Sequence, residues 1–202
     1  MLKIVFIVVL AVVATQAQEH RCVAPTYFQA RLLAYDHETG YYRDGRFSYD
    51  AASQRVRMIE RVNENATRPQ VDELFLHHEN KAYRVDLKTR KCNVSTIDRP
   101  FRLVEVPEQS QYIGESSIGS LEVPGAGVLL STWFHMTHDT EVVGNLTTSF
   151  TKEECIPYSE TFHGYQVKSK QHLRFHRKFF DVTIGLDDPN TFDVPYECRG
   201  RI

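Results

Sequence analysis

The sequence lacks the short motifs by which most hydrolases and metal enzymes are identified. It has no H-E-x-x-H and no G-x-S-x-G, and no two of its four cysteines lie at the C-x₂₋₄-C spacing of a zinc site. Its nine histidines include His172 and His176, but their segment alternates like a strand, in which residues four apart lie roughly 13 Å from each other. We therefore expect no catalytic residue and predict that the protein is not an enzyme.

A strong net charge and a second long apolar run are also missing. The formal net charge of −2 over 202 residues favours neither nucleic acid nor an anionic membrane as a partner. Residues 1–17 contain one Lys, an apolar run over residues 4–13 and a small residue at the end, which predicts a secretory signal peptide cleaved after Ala17. No later stretch is apolar enough to span a membrane. We expect residues 18–202 to form one secreted domain with an extracellular destination, the lysosome being the alternative.

The cysteines and sequons that are present fit this compartment. Four cysteines follow the predicted signal peptide, and an even number in an oxidising compartment favours two disulfides, for which three pairings are possible. Three N-x-[ST] triplets predict glycans at Asn65, Asn93 and Asn145. Cys92 and Asn93 are neighbours, so in a strand one faces a disulfide while the other faces solvent.

Short alternating segments predict a protein built of strands. Residues 29–35, 46–49, 73–78, 81–87, 141–150, 162–167 and 172–184 are strand-like, with apolar and polar side chains alternating over residues 83–87 and 173–179. Glu38-Thr39-Gly40 and Asp44-Gly45 divide the first two segments, and the Asp-Gly pair predicts a hairpin turn. Residues 53–62 fit a strand or a helical face, and we prefer the strand because no helix cap precedes them. Residues 127–134, which contain the single Trp, predict a strand buried on both faces. Some ten close strands indicate an antiparallel all-β domain, a sandwich or an open barrel.

The C-terminal half is rich in aromatic residues. A tight core is one interpretation, and an apolar cavity between two curved sheets, large enough for a lipid-like ligand, is the other. The residues predicted to line that pocket are Trp133, Phe134, Phe150, Phe162, Tyr165, Phe175 and Phe179.

An acidic segment near the C-terminus makes calcium the one cofactor that the sequence suggests. Asp187, Asp188 and Asp193 supply the hard oxygen ligands that calcium prefers, although the segment lacks the glycine and the terminal Glu of an EF-hand loop. An ordinary solvated turn is the alternative.

The order of motifs along the chain resembles the ependymin-related family of secreted glycoproteins. The matching pieces extend over nearly the whole chain after residue 17. They are residues 22–25, 47–51 with 54–57, 83–86 with Cys92, 106–107 with 118–120, Pro124-Gly125 leading to Trp133, 154–157, and 192–195 with Cys198.

The resemblance implies a fold and a set of partners. The fold is two stacked antiparallel sheets with minor helix, forming an open barrel or sandwich around a hydrophobic pocket, similar to bacterial lipoprotein-carrier folds. The resemblance also implies a homodimer, and it implies pairing Cys22 with Cys155 and Cys92 with Cys198. It further implies calcium association and contact with the extracellular matrix.

Two hypotheses about function follow. In the first, the protein is a secreted glycoprotein that binds a hydrophobic small molecule, such as a fatty acid or another lipid, between its sheets. In the second, it is a calcium-associated glycoprotein that acts in cell–matrix adhesion or signalling through its surface and carries no lipid.

Overall fold

The chain is almost entirely β-structure. The computed structural model describes residues 20–62, 69–97 and 99–200. Its strands are β1 (Tyr27–Asp36), β2 (Tyr42–Asp50), β3 (Arg55–Val62), β4 (Gln70–Leu76), β5 (Lys81–Asp86), β6 (Lys91–Thr96), β7 (Gln111–Gly119), β8 (Gly127–His138), β9 (Val142–Thr151), β10 (Pro157–Gln166) and β11 (His172–Ile184). Two 3₁₀ turns, His77–Glu79 and Tyr196–Cys198, are its helical content. The predicted all-β class with minor helix is confirmed, and the predicted signal peptide of residues 1–17 lies outside the described residues.

All eleven strands belong to one antiparallel sheet. Their order is β6-β5-β4-β3-β2-β1-β11-β10-β9-β8-β7. Each strand neighbours the next along the chain except β6 and β7, and the pairing of β1 with β11 joins the first strand to the last. The edge strands β6 and β7 do not pair with each other, so the sheet is not closed. The expected division into two stacked sheets is therefore not confirmed, because the hydrogen bonding is continuous from edge to edge.

Aspartates at strand ends close three of the hairpins. Asp36, Asp86 and Asp139 each accept hydrogen bonds from the backbone N–H groups two and three residues ahead. This Asx-turn chemistry ends one strand and lets the next begin within a few residues.

The hairpin predicted at Asp44-Gly45 is wrong. Both residues lie inside β2, and the turn between β1 and β2 falls at residues 37–40, where the break at Glu38-Thr39-Gly40 was predicted. Gly45 is required by packing, because a Cβ at this position would lie 2.4 Å from the Cα of Glu60 on β3. The strand preferred for residues 53–62 is confirmed as β3.

β8 differs from the predicted strand with two buried faces. Leu130 and Trp133 are buried, but Val128 is 48% exposed, and Met136, beyond the predicted range, is 63% exposed. Since β8 has only the edge strand β7 on one side, its ends are less covered than its centre.

The two faces of the sheet carry separate hydrophobic cores. Face A is the face that bears Phe28, Phe47 and Tyr49, and face B is the opposite one. Core 1 lies on face A and includes Trp133 of β8, although four strands separate β8 from β2 in the sheet. In a flat sheet these strands would lie roughly 24 Å apart, so we infer that the sheet curves around face A.

Residues outside the sheet complete core 1. Val106 is buried in it, and the Val104 N–H donates to the Tyr49 hydroxyl at 3.1 Å. The connection between β6 and β7 therefore fills the space that the curved sheet leaves.

Core 2 lies on face B of β4, β5 and β6. Leu74 and Val85 are fully buried there, and Phe192 of the C-terminal segment covers them. The Arg55 guanidinium lies 4.6 Å from the centre of the Phe192 ring and shields its outer side. No helix in the described residues is long and apolar enough to cross a membrane.

Candidate functional site

Each hydrophobic core contains one disulfide. Cys22 pairs with Cys155 and Cys92 pairs with Cys198, as the resemblance implies. The pairs are 133 and 106 residues apart in sequence, and loops of that length are worth roughly 4–5 kcal/mol each by the chain-entropy account. Two such bonds indicate a protein of an oxidising, extracellular compartment.

The sequons occupy different parts of the sheet. Asn93 on β6 and Asn145 on β9 are both exposed, which a glycan acceptor requires. Asn65 lies outside the described residues. Glycosylation at these three positions stays a prediction.

Five of the seven predicted pocket residues share face A. The Trp133–Thr148, Thr148–Glu160 and Glu160–Arg177 pairs lie directly opposite one another across four strands, and directly opposed residues point to the same face. By alternation along each strand, face A then also carries a set of phenylalanines. These are Phe150, Phe162, Phe175 and Phe179.

The other two predicted residues point the opposite way. Phe134 follows Trp133 directly in β8, so its side chain is on face B. Tyr165 lies three residues from Phe162 in β10, and its ring on face B is 5.4 Å from the Lys170 Nζ. The predicted set of seven therefore does not form a single lining.

The five aromatic residues of face A divide into a core group and an outer group. Trp133, Phe150 and Phe179 belong to core 1. Phe162 is also buried, but it stacks on the half-buried Phe175, with ring centres 5.5 Å apart and planes at 21°.

Two glycines make room for the ring of Phe162. Gly144 and Gly164 lie opposite each other on β9 and β10. A Cβ at either position would approach the end of the Phe162 ring to 2.8 or 2.9 Å. The ring therefore lies flat over the sheet backbone and leaves its other side to Phe175.

The main cavity lies on face B and is polar. It has a volume of about 580 Å³, between β1–β4, the C-terminal part of β11 and Asp187, and none of the seven predicted aromatic residues lines it. Arg31, Arg46 and Arg61 contribute its positive charges, and Asp44 and Asp181 are among its negative ones. No motif in the sequence marked this cleft, because its arginines come from three different strands.

Asp44 holds two of these arginines in place. Its Oδ1 accepts from Arg31 Nε at 3.0 Å, and its Oδ2 accepts from Arg31 Nη2 and Arg61 Nη2, both at 3.2 Å. The hydrogen bonds from Arg31 lower the pKa of Asp44, so this carboxylate is ionised throughout the physiological range.

Face A has a contrasting charged cluster at the β2–β5 end. Glu60 is buried, and its Oε1 lies 3.0 Å from Arg43 Nη1 without hydrogen-bond geometry. Glu60 also approaches Glu73, and Glu73 in turn binds both Arg43 and Arg84. Burial raises the pKa of Glu60 to about 7, and the charge of Glu73 adds to the shift while Arg43 opposes it.

The predicted calcium ligands do not converge. Within residues 20–62, 69–97 and 99–200, no three His, Cys, Asp or Glu side chains form a group that could hold a metal ion. Asp187 and Asp188 are exposed, and the Asp188 carboxylate accepts a hydrogen bond from the Asn190 N–H at 2.8 Å. The turn thus satisfies part of its own hydrogen bonding, and calcium binding stays a prediction.

Comparison with known proteins identifies the family. A sequence model described as Ependymin matches residues 65–198. The chain is 27% identical over 200 residues to Ependymin of Notemigonus crysoleucas, covering 99% of this chain and 89% of that protein. It is 26% identical over 183 residues to Mammalian ependymin-related protein 1 of Mus musculus, covering 88% and 76%.

A similar solved structure is that of an uncharacterized conserved protein from Thermus thermophilus. The TM-score is 0.48 at 10% identity, covering 85% of this chain and 87% of that one. The family match, which extends over two thirds of the chain, and the curated relatives, which align along most of it, lead to one conclusion: this chain belongs to the ependymin family.

Proposed function

We propose that this extracellular protein binds an apolar small molecule, such as a fatty acid or another lipid, on face A of its curved sheet. The observation that carries the proposal is the alignment of five aromatic side chains on one face of a sheet that is not closed. Where this face stays partly exposed, as at Phe175, it offers an apolar contact area that water covers poorly.

The outer group is where a ligand would bind. Leu146, Phe162 and Phe175 lie directly opposite one another on β9, β10 and β11 and form an apolar strip across three strands. Leu146 and Phe175 are only half-buried. A ligand on this strip would remove their remaining apolar surface from water, which is favourable by about 25 cal/mol per Å².

Core 1 sets the boundary of the strip. Trp133, Phe150 and Phe179 already pack with Phe28 and Phe47, so their side chains are not available to a ligand. This differs from the sequence expectation, in which all seven aromatic residues lined one pocket.

The test compares two aromatic residues of similar burial on opposite faces. Lipid extraction and mass spectrometry of the purified full chain should find an apolar ligand, and a fluorescent fatty acid should bind after its removal. The Phe175→Ser variant should weaken that binding roughly fivefold to tenfold, because about half of a Phe side chain loses its contact. The Tyr165→Ser variant on face B is the matched control and should bind like the wild type. Purified protein that carries no apolar ligand and does not bind the fatty acid would refute the proposal, as would an equal loss of affinity in both variants.

The second hypothesis, a calcium-associated glycoprotein of matrix adhesion, stays a prediction, as does the homodimer. Calcium titration before and after glycan removal distinguishes calcium bound by the protein from calcium bound by the glycans, because a site formed by Asp187, Asp188 and Asp193 would survive deglycosylation. Absence of calcium binding in both samples would remove it.

A further inference from the structure

The polar cleft on face B has features that the apolar ligand of face A does not use. Arg31 of β1 and Arg46 of β2 lie directly opposite each other in the register of the two strands. Like charges in that position destabilise a sheet when nothing lies between them. Arg31 is engaged by Asp44, whereas Arg46 is exposed and has no ion-pair partner among the described residues.

The cleft continues beneath the C-terminal segment. A smaller cavity of about 260 Å³ shares Gln29, Arg46 and Asp187 with the main one. The segment is held over the sheet by the Asp187 N–H, which donates to Gln29 Oε1 at 3.4 Å, and by Arg57 Nη1, which donates to the Thr191 carbonyl at 2.8 Å. Arg46 therefore lies where the two cavities meet.

The walls around this point carry both neutral and charged hydrogen-bonding groups. The neutral ones are side-chain amides and hydroxyls: Gln29, Gln70, Ser48, Thr183, Asn190 and Thr191. The exposed carboxylates of Asp181 and Asp187 can accept from ligand hydroxyls. The volume of the main cavity, about 580 Å³, is within the range of small-molecule sites.

We propose that this cleft binds a sulfated saccharide, with a sulfate group between Arg46 and Arg31 and the sugar hydroxyls against the polar walls. Two opposed guanidinium groups present more N–H donors than one planar carboxylate can accept, whereas a tetrahedral sulfate can accept from both. The site is separate from the apolar strip of face A, so it neither needs nor excludes a lipid there.

Asp44 is a positioning residue for this site. Because its two oxygens hold Arg31 and Arg61 at the cleft wall, it fixes the charge that faces the ligand. The ordering of these side chains before binding reduces the entropy lost on association.

The experiment is calorimetric titration of the purified full chain with a fully sulfated heparin-type disaccharide. The same disaccharide without sulfate and inorganic sulfate alone are the comparison ligands, all at physiological salt. The Arg46→Gln variant removes the guanidinium for which the described part of the chain supplies no ion-pair partner. Arg174→Gln removes an exposed guanidinium from the same face outside the cleft and is the matched control.

The proposal predicts saturable binding of the sulfated disaccharide that weakens at least tenfold in Arg46→Gln and is unchanged in Arg174→Gln. It also predicts weaker binding of both comparison ligands. Absence of binding, or equal losses in the two variants, would overturn the site. Inorganic sulfate that binds as tightly as the disaccharide would overturn its assignment to a saccharide. Loss of fatty-acid binding in Phe175→Ser, with sulfated disaccharide binding intact, would show that the two ligands bind independently.

Discussion

The two faces of strands β2 to β5 hold their charged residues in opposite ways. On face B, each buried aspartate accepts hydrogen bonds from at least one arginine of its own, as in the Asp50–Arg55 and Asp72–Arg57 pairs. On face A, Glu73 binds both Arg43 and Arg84, whereas the buried Glu60 lies beside Arg43 without hydrogen-bond geometry and also beside Glu73. The difference indicates that hydrogen bonds donated to a buried carboxylate, set against the cost of its burial, decide whether the acid keeps its charge.

The pKa directions follow this arrangement. Although burial opposes it, hydrogen bonds from the Ser53 N–H and from Arg55 hold the pKa of Asp50 below its usual value. Burial raises the pKa of Glu60 to about 7, with Glu73 adding to it. The two faces should therefore respond to pH with opposite signs.

The strongest destabilisation should come from removing Arg43, which both Glu60 and Glu73 approach. The Arg43→Met variant leaves the carboxylate of Glu60 buried without its countercharge, which should lower the free energy of unfolding by roughly 3–5 kcal/mol at pH 8. At pH 5 Glu60 takes up a proton and the loss should shrink to about half or less. Urea denaturation at both pH values measures the change.

The Glu60→Gln variant is the control for that prediction. The folded pKa of Glu60 is raised, so its contribution to stability is complete below pH 4.5 and is lost as the pH rises through about 7. Relative to wild type, Glu60→Gln should therefore gain stability between pH 5 and 8, by roughly 3 kcal/mol if the whole shift is realised. A constant difference between the two proteins over this range would contradict the assignment.

An intermediate effect of opposite pH dependence is expected on face B. Asp50 is fully buried and accepts from the Ser53 N–H and from Arg55 Nε, both at 2.8 Å. The Asp50→Asn variant should lose roughly 1.5–3 kcal/mol at neutral pH, because hydrogen bonds to a charged acceptor are replaced by weaker ones. Asp50 has a lowered pKa, so its contribution is present above pH 3.8 and disappears as the pH falls through the folded value.

The measurement is urea denaturation of wild type and Asp50→Asn from pH 7 downward. The unfolding free energies of wild type and Asp50→Asn should become equal towards acid pH. Those of wild type and Glu60→Gln should also become equal there. A loss in Asp50→Asn that is as large at the acid end as at pH 7 would mean that packing, and not charge, makes the pair important.

Much of this fold could be predicted from local pattern, because alternation needs only neighbouring residues. The strand over residues 172–184 was indicated by alternating side chains, and the strand over residues 55–62 by alternation together with the lack of a preceding helix cap. The interior position of Gly45 could not be, since the reason for it is the backbone of Glu60 on another strand. The single sheet depends on the pairing of β1 with β11, about 150 residues apart, and no local signal contains that contact.

The candidate site was predicted in part. Alternation is enough to place Phe175 and Phe179 on one face, and it is also enough to separate Phe134 from Trp133, a consequence of strand geometry that the aromatic count overlooked. The cleft arginines could not be recognised, because an arginine on an alternating strand is indistinguishable from an ordinary solvated charge until its cross-strand neighbour is known.

The smallest expected effect concerns an exposed ion pair on face A. Arg177 of β11 lies opposite Glu160 of β10, with Nη1 and Oε2 3.2 Å apart and 45% and 26% of the side chains exposed. Arg177 also lies over the ring of Phe175 at 4.6 Å, so a single Arg177→Gln variant would change two contacts. A double-mutant cycle with Glu160→Gln removes the ring contact from the comparison and should give a coupling of roughly 0.2–1 kcal/mol at low salt.

The salt dependence of the Arg177–Glu160 coupling shows how far the pair is exposed to water. Because both charges are partly in water, raising the ionic strength to about 1 M should reduce the coupling towards zero, whereas the Arg43–Glu60 interaction should keep most of its value since Glu60 is 2% exposed. A coupling between Arg177 and Glu160 above about 2 kcal/mol that resists salt would mean that the aromatic strip lies deeper than its exposure indicates. In that case face A would be closed over Phe175, and the site proposed for an apolar ligand would have to lie elsewhere.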